Sequence, residues 1–187
     1  MPSRLPLKKA SLEETWEYYE SKDSSKYFQE LLEKWDPSKG FETKDLIRET
    51  DLRNSFLNFL NSREESMQHD KESLIRNDRR ADLSLTFRGP DDKTVHLVEF
   101  KYGLDSGKVN TLKGQVNNYL KEKVRHVYVV LIEDKERGKY VKSKYTDELK
   151  EEYSRARFKL SQKLGIKGIH IYVKQMNRGK SSVDKII

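Results

Sequence analysis

Six consecutive residues, Val127-Tyr128-Val129-Val130-Leu131-Ile132, are apolar or aromatic in a chain that is 37% charged and 34% hydrophobic. Such a run offers no face to water. It demands cover on both sides, as a central strand of a sheet does. The chain must therefore supply a layer above and a layer below from a small apolar stock, leaving a heavily charged surface.

The other elements follow from periodicity and punctuation. Ser11 and Glu14 fit a capping box that starts a helix at Leu12. Trp16, Tyr19, Phe28, Leu31, Leu32 and Trp35 give this helical section an apolar face, interrupted near 22–25 and closed by a turn at 36–40. Leu52, Phe56 and Leu60 repeat every fourth residue and predict a helix from Thr43 to Leu60. Residues 61–72 are polar and read as loop. A strand over 73–87, bent or broken at 77–80, meets the turn signal Gly89-Pro90-Asp91-Asp92 and a second strand over 95–102. Next come a loop at 104–113, a helix over 112–123, the buried strand 127–132, a charged helix over 147–164 and a strand over 169–173. The order predicts an α/β fold, a mixed central sheet with helices on both faces. Residues 1–40 read as a helical extension, 41–175 as the core and 176–187 as a flexible, frayed tail.

A chain of 187 residues suits one domain. Its net charge of +7 favours a polyanionic partner, nucleic acid first. It has no cysteine, which excludes disulfides, thiolate metal sites, iron–sulfur clusters and cysteine nucleophiles. No apolar run approaches the ~20 residues of a membrane span. The first residues lack the apolar core of a secretory signal, so a cytoplasmic protein without membrane contact is expected.

The chemistry concentrates between Arg79 and Tyr119. Alternation in the second strand points Glu99 and Lys101 to one side and Val98, Phe100 and Tyr102 to the other. A charged face then falls where the strand crosses the core. Burying an acid and a lysine together is costly unless they are partners or ligands. Asp82, Ser84 and Thr86 share a face of the first strand, and antiparallel pairing through the Gly-Pro turn brings Asp82 near Glu99. Two carboxylates, a backbone carbonyl and waters suit Mg²⁺ or Mn²⁺. A lysine two residues beyond the acid can hold the attacking water or neutralise a phosphoryl transition state.

Asp82 with Glu99-Phe100-Lys101 resembles the PD-(D/E)XK nuclease motif. Gln115-Val116-Asn117-Asn118-Tyr119 resembles the Q-x-x-x-Y motif of its RecB-like branch, as does Arg80-Ala81-Asp82-Leu83. The resemblance spans about 45–130 and, loosely, the last helix and strand. It implies a restriction-endonuclease-like core and Mg²⁺- or Mn²⁺-dependent hydrolysis of DNA, less often RNA. It implies metal ligation by Asp82, Glu99 and the Phe100 carbonyl, and a Lys101 that acts on the water or the transition state. Gln115, Tyr119 and Arg80 would place the substrate. An acid on the preceding helix often joins such sites. Glu49, towards the face of Leu52 and Phe56, is the first candidate, and Asp51 the second. Ala81 stands where the motif has proline, and the absent cysteines exclude the iron–sulfur subgroup. Some relatives pair two cores, so a homodimer is open.

Blander readings stand beside these. Glu-x-Lys pairs are common salt bridges on charged surfaces. Ser84 reads as a plain strand residue, His69 and His96 as surface histidines, and Asp78 and Asp105 as turn formers. Lys8, Lys9, Arg79, Arg80, Arg88, Lys108, Lys113, Lys121, Lys123 and Arg125 could neutralise phosphates or simply be solvated. Two rival functions remain: a nucleic-acid binder that does not cut, and an assembly protein using its charged helices.

Overall fold

The computed structural model describes residues 24–41, 44, 46–62, 68–71, 74–75, 79–88, 93–119, 126–161, 168–176 and 183–187. The expectations for Ser11 to Tyr19, Asp78, the turn 89–92 and the basic residues at 8, 9, 121, 123 and 125 lie outside them. The elements are α1 (Ser24–Lys34), α2 (Glu49–Asn61), β1 (Gln68–Lys71), β2 (Leu74–Ile75), β3 (Arg79–Arg80), β4 (Leu83–Arg88), β5 (Lys93–Tyr102), α3 (Ser106–Tyr119), β6 (His126–Glu133), α4 (Ser143–Ser161), β7 (Gly168–Gln175) and β8 (Val183–Lys185).

Six strands form one mixed sheet in the order β1-β4-β5-β6-β7-β8. β5, β6 and β7 run parallel, while β1–β4, β4–β5 and β7–β8 are antiparallel. β6, the all-apolar run, lies at the centre with every residue buried. Below it Tyr128, Val130 and Ile132 pack with Phe28, Leu31, Leu32 and Trp35 of the α1 segment and Leu52, Phe56 and Leu60 of α2. Above it Val127, Val129 and Leu131 pack with Val109, Leu112, Val116 and Tyr119 of α3 and Leu149 and Tyr153 of α4. Helices thus cover both faces, two to a side. No helix among the described residues is long and apolar enough to cross a membrane.

Several boundaries differ from the sequence reading. The α1 segment, expected as an extension, belongs to the lower core; Phe28 stacks on Tyr128 at 4.1 Å. α2 starts at Glu49, not Thr43. Arg48 is extended (φ −107°, ψ 157°), and its N–H donates to Asp51 Oδ2 at 2.9 Å, so the cap sets the start. The polar stretch 61–72 contains β1, the first strand in the sheet order, a place where a polar composition is tolerated. The expected first strand is divided. β2 and β3 pair with each other as a separate ladder, Asp82 sits at a bend, and β4 starts at Leu83. α3 begins at Ser106, inside the expected loop. Asp105 caps it by accepting the Lys108 N–H at 2.9 Å, which supports its reading as a turn former. α4 begins at Ser143 rather than Asp147. The expected frayed tail includes β8, paired with Tyr172 to Lys174.

His96 is a further correction, since it is buried rather than on the surface. With β5 covered on both sides, its ring stacks on His126, and His126 Nδ1 lies 2.9 Å from His170 Nε2. Three imidazoles therefore cross β5, β6 and β7 in a row.

Candidate active site

β5 carries its charges as the alternation required. Glu99 and Lys101 are 1% and 6% exposed, on the upper face otherwise built from Leu97, Val129 and Leu131. Val98, Phe100 and Tyr102 enter the lower core. Lys101 Nζ donates to Glu99 Oε1 at 2.8 Å. Tyr119, from the last turn of α3, donates its hydroxyl to Glu99 Oε2 at 2.8 Å. Both oxygens of this buried carboxylate are thus engaged, as burial of a charge requires.

The hairpin supplies the second acid. Leu83 pairs with Val98, so Asp82, one residue before it, stands across from Glu99. Asp82 Oδ2 accepts the Phe100 N–H at 2.8 Å. Burial foremost, then the charge of Glu99, pushes the Asp82 carboxyl up from 3.8 to about 7, against the opposing pull of the Phe100 N–H and Lys101. Burial alone would lower the Lys101 ammonium, but the charge and hydrogen bond of Glu99 hold it above its ordinary value. Burial and the Glu99 charge raise the Tyr119 hydroxyl well above the ordinary tyrosine range, so it stays a donor.

The third acid comes from the opposite layer. Glu49, first residue of α2, accepts the Tyr102 N–H at 3.1 Å. It lies 3.9 Å from Lys101 Nζ and 3.2 Å from Lys108 Nζ. Of the two helix acids, Glu49 reaches the cluster, while Asp51 is occupied by the cap and by Lys44 at 3.7 Å. Lys108, expected only as a general phosphate contact, belongs to the cluster and also donates to the Tyr102 carbonyl. Its place on the first turn of α3 was hidden by the loop reading.

The remaining candidates are placed unevenly. Gln115 lies one turn before Tyr119 on α3. Its Oε1 is buried and has no hydrogen-bond partner among the described residues. Arg80 is in β3, and its side chain lies outside the described residues. Ser84 is buried in β4, and Lys113 pairs with Glu148 at 2.5 Å. Immediately beyond the cluster, Gly103 takes a left-handed turn (φ +68°). A Cβ there would meet Lys139 Cβ at 3.3 Å, so the close approach of the chain at Lys139 favours glycine.

The arrangement is three carboxylates around two ammonium groups at the carboxyl end of β5. Such a cluster can hold a hard cation or present a fixed charge to a phosphate. Among the described residues, no group of three or more acid or histidine side chains is disposed as a ready metal cage. The chain matches no family model, no curated protein and no solved structure with which it was compared.

Proposed function

We propose that this protein is a Mg²⁺- or Mn²⁺-dependent deoxyribonuclease of the PD-(D/E)XK superfamily, RecB-like branch, on a restriction-endonuclease-like core. The observation that carries the reading is Asp82 set across from the buried Glu99–Lys101 pair and driven up to about 7. A buried pair kept for stability would be matched in charge. Here a second carboxylate is pressed against the first at a cost in stability, a pattern that marks functional sites.

The donor chemistry fits a hard divalent cation. Asp82 and Glu99 would hold it with the Phe100 carbonyl, and Glu49 would assist from the rim. Mg²⁺ commonly takes one or two carboxylates and fills its remaining positions with waters and substrate phosphate, so a closed cage is not needed. When bound, the cation supplies an activated water and charge stabilisation at the phosphate.

The chain's own groups do the rest. Lys101, kept protonated by Glu99, orients the attacking water or offsets charge that grows on the phosphate. Tyr119 fixes the Glu99 carboxylate. Gln115, one turn before Tyr119, offers an unused buried carbonyl oxygen for substrate or in support of Lys101. Arg80 and the net charge of +7 favour a nucleic-acid backbone. A homodimer would allow two such sites to cut opposite strands.

The test is a cleavage panel of single-stranded, duplex, flap and junction DNA with and without Mn²⁺. Metal-dependent cleavage lost in Asp82→Ala, Glu99→Ala and Lys101→Ala is expected. Undiminished cleavage by a folded Glu99→Ala protein would sink the mechanism. Salt-dependent binding without turnover would point instead to a binder that does not cut.

A further inference from the structure

We infer that Arg137, seated by Asp134, is a positioning residue for Glu49, fastening the backbone that delivers this acid to the cluster. The role of Glu49 rests on the nuclease reading; the clamp itself does not.

Glu49 is the first residue of α2, and the described part of the segment leading to it, residues 41, 44 and 46–48, forms no helix or strand. Ile47 is buried in the lower core and Phe41 packs against it, but Leu46 between them is largely exposed, so side-chain packing holds this approach only at separated points. Arg137 supplies an anchor from a 3₁₀ turn more than ninety residues away. Its Nε donates to the Lys44 carbonyl at 3.0 Å and its Nη2 to the Phe41 carbonyl at 2.8 Å. Its Nη1 donates to Asp134 Oδ2 at 2.8 Å. Asp134 is 1% exposed and also accepts the Tyr102 hydroxyl at 2.6 Å and the Arg137 N–H at 3.3 Å.

These bonds close a circuit. Tyr102 gives its ring hydroxyl to Asp134 and its backbone N–H to Glu49. Asp134 holds the guanidinium, and the guanidinium holds the carbonyls that precede α2. Glu49 is therefore fixed at its carboxylate and at the backbone before it by the same residue of β5. The planar fork suits this role, because its three nitrogens each reach a different acceptor, whereas the three N–H donors of a lysine radiate from one nitrogen at the end of a flexible stem. A general staple would raise stability without regard to Glu49, whereas the circuit predicts an effect that passes through it.

The experiment compares the full chain with Arg137→Lys, Glu49→Gln and the double variant. Amide hydrogen exchange, without metal or DNA, reads the clamp directly. Arg137→Lys should speed exchange at Asp51 and Leu52, whose N–H groups bond the Arg48 carbonyl, and leave β6 protected. Mn²⁺ titration of cleavage reads the consequence. Arg137→Lys should raise the half-saturating Mn²⁺ concentration about tenfold, the usual effect of losing a partner that orients a ligand. It should cause no further rise in the Glu49→Gln background. Unchanged exchange at the start of α2 overturns the clamp. Equal losses in both backgrounds overturn its action through Glu49. A wild-type chain that never cleaves overturns the nuclease reading, and the exchange data then still decide the clamp.

Discussion

Replacing Asp82 by asparagine should make the metal-free protein more stable while destroying its activity. The side chain keeps its size and can still accept the Phe100 N–H, but the charge beside Glu99 is gone. In the wild type, the carboxyl moves from 3.8 to about 7 on folding, chiefly through burial and then through Glu99. Below the lower value it is protonated in both states and contributes nothing. Between the two, the folded state keeps a proton that the unfolded state has released, so stability falls as pH rises. Above about 7 the full cost is present. At about 1.4 kcal/mol per tenfold, the ceiling is roughly 4 kcal/mol. Asp82 is partly accessible, and solvent screening reduces this to about 1–3 kcal/mol.

Urea denaturation with a chelator, at about pH 4, 6 and 8, measures the difference between the two proteins and cancels their shared groups. The gap should be near zero at the acid end and widen in favour of Asp82→Asn as pH rises. Mn²⁺ at 100 times its dissociation constant should then return about 2.7 kcal/mol to the wild type and far less to the variant. A gap that stays constant with pH, or a variant less stable than wild type at about pH 8, would refute the reasoning.

Two smaller tests follow from the same geometry. Tyr119→Phe removes the donor to Glu99 Oε2 and should cost about 1–3 kcal/mol in urea denaturation, with reduced but measurable cleavage. Gly168→Ala places a Cβ 2.8 Å from His170 Nε2, inside the buried imidazole row, and should lower stability by about 1–3 kcal/mol without changing the Mn²⁺ requirement.

Much of the frame was legible because it rests on local pattern. The run at 127–132 announced β6, and the alternation around Glu99 and Lys101 announced a charged face on a core strand. The pairing of Asp82 with Glu99 followed from a turn signal and a period of two. The rest was hidden where local composition and tertiary role disagree. β1 is polar because an edge strand can be. The start of α3 contains Gly107, which argues against a helix locally, yet Val109 on that turn is buried in the upper core with β6. Lys108 could not be assigned while its segment read as loop. Asp134 and Arg137 look like an ordinary polar turn; their importance comes from carbonyls at 41 and 44, which no nearby residue signals. His96 looked exposed because a histidine near a strand start usually is, and only the parallel neighbours β6 and β7 bury it.

The cluster draws Glu49 from the lower helical layer and Lys108 from the upper one, around the end of a strand between them. Neither layer holds a complete set of these groups. A chain still emerging during synthesis has Glu49, Asp82, Glu99, Lys101 and Lys108 before β6, and well before β7, exists to hold the layers together. Were the chain the nuclease proposed above, its chemistry would wait until folding is nearly finished, and unfinished or misfolded copies would be inert towards the genome of the cell that makes them.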